Sequence, residues 1–400
     1  MKKVLLFAFL AVSFSLPAFA AQTAIVMWHA YRGEEKTAIE AVAQQFNKTH
    51  KDIKISLLAV PYDAMADKVS ASVPRGKGPD LFIYAQDRLG GWIAAGIAEP
   101  IEYYLTDAIS ARFVPGSLSA FIYKDSTYGL PLSNKCVTLI YNKALVAKPP
   151  KTTDELISLA QSLTDPDKKQ YGLAYEIQNY YYHSIWMQGF GARVFDEQGN
   201  PTLNSPAAAE SLQFAIDLQK KYKIVPEEVT NTLVTTLFNE GKAAMSINGP
   251  WFRGEIDPSI KYGVAPLPII SQTGKPAIPF LTVEGIIMSA QSENKDAAFE
   301  VMDYFTNNAS SLTFALKGKM VSANKSVFTN KKISSDPTIM GFMAQVKQSI
   351  PMPNAPEMTM VWSPVTTAMN KAFLGAMSPL DALTEAQNSV ISSIEKLKGK

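Results

Sequence analysis

The chain has 400 residues, of which 47% are hydrophobic, 18% charged and 10% aromatic, and its formal charge is +2. That length corresponds to about two or three domains with ample cores, so neither a metal nor a disulfide staple is required. The ordinary apolar fraction excludes a disordered, collagen-like or coiled-coil chain, and a near-neutral charge with no basic block excludes the electrostatic footprint of a nucleic-acid binder.

Lys2 and Lys3 precede an uncharged run from Val4 to Leu16, and Pro17 with Ala18-Phe19-Ala20 follows. A charged start, a short apolar core and an Ala-x-Ala end predict a secretory signal peptide over residues 1–20, cleaved after Ala20. The run is shorter than the roughly 20 residues needed to cross a hydrocarbon core. Loss of Lys2 and Lys3 brings the charge of the mature chain to zero. Thr23–Trp28 then reads as a strand, and Glu34–Lys48 as a helix with Ile39, Val42, Ala43 and Phe46 on one face. Asp52–Val60 alternates like a half-buried strand. Tyr62–Val73 reads as a helix, and Gly76-Lys77-Gly78-Pro79 turns into the strand Asp80–Ala85. This alternation predicts an α/β unit with a mainly parallel sheet.

Cys136 is the sole cysteine, so no intramolecular disulfide can form, and it reads as a small core residue. Export without disulfides fits a bacterial periplasm. Beyond it come the strand Val137–Tyr141, the helix Asp154–Leu163 and the strand Tyr171–Ile177. The amphipathic helix Pro206–Tyr222, the strand Ala243–Ile247 and the strand-like Leu281–Ala290 follow, and helices including Lys295–Asn307 and Pro379–Lys396 dominate to the end.

Only three histidines occur, His29, His50 and His183, and there is no G-x-S-x-G, H-E-x-x-H or G-x-x-x-x-G-K-[ST] element. A paired-carboxylate glycosidase leaves no such local signature, so Glu176, Glu284 and Glu357 stand as its candidates. Aromatic residues recur beside polar groups at element ends: Trp28-His29-Ala30-Tyr31-Arg32, Tyr84-Ala85-Gln86-Asp87-Arg88, Tyr180-Tyr181-Tyr182, Trp251 after Asn248-Gly249-Pro250, and Trp362. Ligands of open α/β sheets gather beyond the carboxyl ends of the strands. A sugar offers an apolar C–H face to aromatic rings and a rim of hydroxyls to Asp and Arg, so this placement predicts a carbohydrate cleft.

Several longer stretches carry a resemblance: Gly78-Pro-Asp-Leu-Phe-Ile-Tyr-Ala-Gln-Asp-Arg-Leu-Gly-Gly91, Leu139-Ile-Tyr-Asn-Lys143, Pro149-Pro-Lys-Thr152, Phe238-Asn-Glu-Gly-Lys242 through Ile247-Asn-Gly-Pro-Trp251, and Met352-Pro-Asn354 leading to Trp362. In this order they resemble the maltose/maltodextrin-binding proteins among the family 1 extracellular solute-binding proteins, which deliver sugars to ABC transporters. The resemblance implies the two-lobed α/β fold of periplasmic binding proteins and no cofactor or catalysis. It makes Tyr84, Tyr181, Trp251 and Trp362 stacking residues and Asp87 with Arg88 a hydroxyl-binding pair, and it places Arg32 near a family lysine. Lys135 and Asn179 stand where the family has glutamates, and Thr366 where it has an arginine. An ammonium in place of a carboxylate reverses the hydrogen-bonding sign at that spot, so a different disaccharide is an alternative, and Glu284 is a candidate replacement acceptor.

The resemblance further implies discontinuous lobes, residues 21–134 plus 284–332 and residues 135–283 plus 333–400, joined near Ser133–Cys136 and Leu281–Glu284. Closure around an oligosaccharide would present the closed form of a monomer to the permease subunits of the importer. The competing class is a secreted glycoside hydrolase, and a third role is presentation of ligand to a sensor.

Overall fold

The computed structural model describes residues 22–114 and 116–399, so the expected signal peptide lies outside the described residues. Ten strands make the two main sheets: β1 (Thr23–His29), β2 (Ile53–Ala59), β3 (Leu81–Ala85), β4 (Gly129–Lys135), β5 (Thr138–Asn142), β6 (Tyr171–Ala174), β7 (Ala243–Asn248), β8 (Tyr262–Ala265), β9 (Phe280–Met288) and β10 (Ile350–Pro351). The first sheet has the order β10-β9-β3-β1-β2, with β4 on the other side of β9, and the second has the order β8-β5-β7-β6. The chain therefore passes from the first sheet to the second between Lys135 and Thr138, and it returns between Ala265 and Phe280.

Parallel pairing joins β1 to β2 and to β3, as the strand–helix alternation predicts. Elsewhere the pairing is mixed, with β6–β7 and β9–β10 parallel and the rest antiparallel. β9 is antiparallel to both β3 and β4, and β5 is antiparallel to both β7 and β8. These strands are entered from the opposite sheet or from long excursions, so no crossover helix forces them parallel. The expected strand to Ile177 ends at Ala174, because the Ile177 N–H donates to the Tyr175 carbonyl and bends the chain out of the sheet.

Period-two alternation assigns each strand face to its own core. Ile25, Met27, Leu81 and Ile83 pack with Ile39 and Phe46 of α1 (Gly33–Thr49) and with Phe305 and Phe314, while Trp28, Phe82 and Tyr84 pack on the opposite face with Val69 of α2 (Tyr62–Ser72). In the second sheet Ile140 and Ala174 meet Phe238, Phe252 and Phe342, and Leu139, Leu173 and Met245 meet Trp186, Leu212 and Leu218. Each sheet is thus covered by helices on both faces, and the two form two lobes. Cys136 is buried, and that burial pushes its thiol up to about 12. No helix of the described residues is long and apolar enough to cross a membrane.

Candidate functional site

The parallel run β2-β1-β3 brings three loops to one edge of the first sheet. His29 at the end of β1 lies opposite Ala59 at the end of β2, and β3 ends at Ala85. From these ends emerge His29–Arg32, Tyr62 at the start of α2, and the turn Gln86–Arg88 before α3 (Leu89–Ala94). His29 is buried, and burial with the Lys36 charge lowers its pKa to about 4, so it stays neutral and accepts the Tyr31 N–H at Nδ1, 3.1 Å. Gln86, with no exposed surface, fixes the third turn. Its amide donates to the carbonyls of Leu281 (3.1 Å) and Met352 (3.2 Å) and accepts the Val283 N–H (2.8 Å).

That clamp presents Asp87 and Arg88. Asp87 is 6% exposed, and burial raises its carboxyl to about 6 although Arg88 opposes the shift. The two side chains approach at 3.6 Å, and the buried Arg88 Nε has no hydrogen-bond partner. Trp362, which opens α5 (Trp362–Phe373, in a chain where α4 is Tyr180–Gly189), stands beside Asp87 with its buried indole N–H likewise unpartnered. Its ring meets Tyr180 edge-on at 5.6 Å. These two unpartnered donors beside the buried Asp87 carboxylate leave hydrogen-bonding capacity unspent at this turn.

The second sheet supplies the facing wall. Asn179 caps α4 by accepting the Tyr181 N–H at 3.0 Å, which is what a short polar side chain does best at a helix start. Tyr181 is thereby oriented toward the first sheet, where its hydroxyl lies 3.0 Å from Thr282 Oγ1 on β9. Trp251 follows β7 and lies 6.2 Å from the Tyr181 ring. Its position requires Gly249, where a Cβ would overlap the Trp251 indole.

Between the walls sits a buried charge cluster. Lys135, at the end of β4, places its ammonium 2.7 Å from Glu284 and 3.1 Å from Glu35, 5.3 Å from the centroid of Tyr31 and 5.9 Å from that of Trp251. Burial raises the Glu35 carboxyl against the pull of Lys135, whereas Glu284 and Glu35 hold the Lys135 ammonium above its usual range despite burial. The Lys135 ammonium lies between the Glu35 and Glu284 carboxylates, which offset its buried charge. A β-bulge at Glu284/Gly285 accompanies this arrangement.

Arg32 is 60% exposed at its side chain and pairs at 2.6 Å with Glu255, just after Trp251, so it spans from one lobe to the other. Thr366 lies exposed one turn into α5. Glu176 is half-buried and raised by burial, with Tyr182, Asp63, Arg32 and Glu255 in its surroundings. Glu357 lies in a short turn near Tyr123, so the three hydrolase candidates occupy different surroundings. Sequence reasoning missed Glu35, Glu255, Thr282 and Tyr62. Tyr62 follows a strand end in the same way as the residues it did find. The partners of Lys135, by contrast, are 100 and 149 positions away.

Comparison with known proteins matches residues 30–311 to the family described as bacterial extracellular solute-binding protein. The chain is 34% identical over 352 residues to the maltotriose-binding protein of Pyrococcus abyssi, covering 87% of this chain and 77% of that one. It is 29% identical over 394 residues to the galactooligosaccharide-binding protein of Bacillus subtilis, covering 94% and 91%. The structure of Thermus thermophilus maltotriose binding protein bound with maltotriose matches at a TM-score of 0.86 and 30% identity, over 92% of this chain and 100% of that one.

Proposed function

We propose a function from one premise: the chain belongs to the bacterial extracellular solute-binding protein family. It binds a maltotriose-like glucooligosaccharide between its two lobes and delivers it to the permease subunits of an ABC importer. The observation that carries this reading is the pairing of buried donors and acceptors, Asp87, Arg88 Nε and Trp362 Nε1, with the rings of Tyr181 and Trp251. Sugar hydroxyls complete the first set and C–H faces cover the second.

The lobes comprise residues 21–134 plus 284–332 and residues 135–283 plus 333–400. Sugar contacting both stabilises the closed form by differential affinity. Arg32 and Asn179 border the site, and the Lys135–Glu284 pair forms part of its floor. Export through a signal peptide cleaved after Ala20 places the monomer in the periplasm, and it turns over no substrate.

Isothermal titration with maltotriose, maltose and a galactooligosaccharide, followed by chromatography of the incubated sugars, tests this. Saturable 1:1 binding of maltotriose with the sugar recovered intact is expected. Heat with none of the three sugars would refute the reading, and shortened chains would establish the hydrolase instead. The P. abyssi and T. thermophilus relatives make maltotriose the first probe, and the B. subtilis relative supplies the galactooligosaccharide arm.

A further inference from the structure

Tyr84 occupies the position at which the resemblance expects a stacking ring, yet its surroundings leave it little ring face to offer. It is 6% exposed. One face is covered by Tyr62, stacked at 5.0 Å and 17° between planes, and Trp92 meets it edge-on at 5.4 Å. Tyr62 is 45% exposed. It begins α2 directly beyond the carboxyl end of β2, at the same sheet edge as Asp87, and it lies within electrostatic reach of both the Asp87 and Glu284 carboxylates. An aromatic ring that is half-exposed, beside hydroxyl-binding groups and held flat by a buried ring behind it, meets the physical requirements of a sugar platform. Its orientation is fixed before binding, so little rotamer entropy is lost when a ligand arrives.

Resting on the sugar-binding reading above, we propose that Tyr62, and not Tyr84, is the aromatic surface on which this wall of the cleft receives a pyranose ring, with Tyr84 as its rigid backing. Length or linkage selectivity on this side is then set by the residue that starts α2. The Asp63 carboxylate next to it and the Arg32–Glu255 pair all lie within electrostatic reach of Glu176.

Maltotriose titrations of the wild-type protein and of Tyr62→Ala, Tyr62→Leu and Tyr62→Phe test this, with thermal melts as the folding control. Tyr62→Ala and Tyr62→Leu should each weaken binding by about tenfold to a hundredfold, the scale of a lost aromatic contact. Tyr62→Phe should retain affinity to within about threefold, because the ring and not the hydroxyl carries the contact. Leucine keeps Tyr84 covered but offers no flat face. Wild-type affinity in Tyr62→Leu, or in Tyr62→Ala, would therefore overturn the inference while leaving the sugar-binding reading intact. Absence of binding by the wild-type protein to maltotriose, maltose and a galactooligosaccharide alike would overturn both.

Discussion

Asp87 is where function and stability oppose each other most directly. Its carboxyl is raised from 3.8 to about 6, first by burial and only partly offset by Arg88. A raised acid is stabilised in its protonated form, so its contribution is fully present below pH 4 and is lost as pH rises through about 6. At neutral pH the ionised group costs about 3 kcal/mol of folding stability. Asp87→Asn should therefore melt at a higher temperature than the wild-type protein at pH 7.5, with the difference vanishing toward pH 4. Thermal denaturation across that range checks it, and an unchanged difference would rule out Asp87 as the titrating group. The same charge is what hydroxyl donors prefer. Sugar binding should weaken as pH falls from 7 to 5, and bound sugar should pull the Asp87 pKa back down.

Elements position these residues through small structural devices, of which the Asn248-Gly249-Pro250-Trp251 turn is the clearest. The absence of a side chain at Gly249 lets the Trp251 indole fold back on the backbone, beside Tyr181 and over Lys135. Gly249→Ala should displace that ring. Overpacking of this kind costs about 1–3 kcal/mol, so a drop of a few degrees in Tm is expected, together with a shifted tryptophan emission and a loss of maltotriose affinity greater than about tenfold if the ring leaves its place. Full retention of affinity would show that Trp251 reaches its position without the glycine. Elements of this size were largely legible in the sequence. The periodicity of α1 picked out Ile39, Val42, Ala43 and Phe46, and all four are buried. The alternation around β1, β2 and β3 likewise identified a parallel unit and the edge where its loops meet. Legibility ended where periodicity did. Tyr180–Gly189 is buried on nearly every side, so it carries no amphipathic stripe to announce a helix. The Lys135–Glu284 pair spans 149 positions, and nothing local to either residue names the other.

At the scale of the whole molecule the question is what holds the lobes together before sugar contributes. Three contacts reach from the first sheet to elements of the second: Arg32 to Glu255, Thr282 to Tyr181, and Lys135, held between Glu35 and Glu284, to Trp251. They differ in kind. The Lys135 cluster is buried, with side chains 8–13% exposed, so salt reaches it poorly and removing one member would strand a charge. Arg32 is 60% exposed at its side chain, which limits its pair with Glu255 to about 1 kcal/mol or less and leaves it open to screening. That is the magnitude suited to a reversible latch, since it shifts the open–closed ratio by at most about fivefold. Arg32→Ala should therefore increase the radius of gyration of the sugar-free protein in small-angle scattering and weaken maltotriose binding by no more than about fivefold. Saturating sugar should restore the compact form, because its contacts to both lobes exceed the missing pair. High salt should reproduce the variant's behaviour in the wild-type protein and leave the variant itself nearly unchanged. Equal salt sensitivity in the two proteins would assign the latch to another contact.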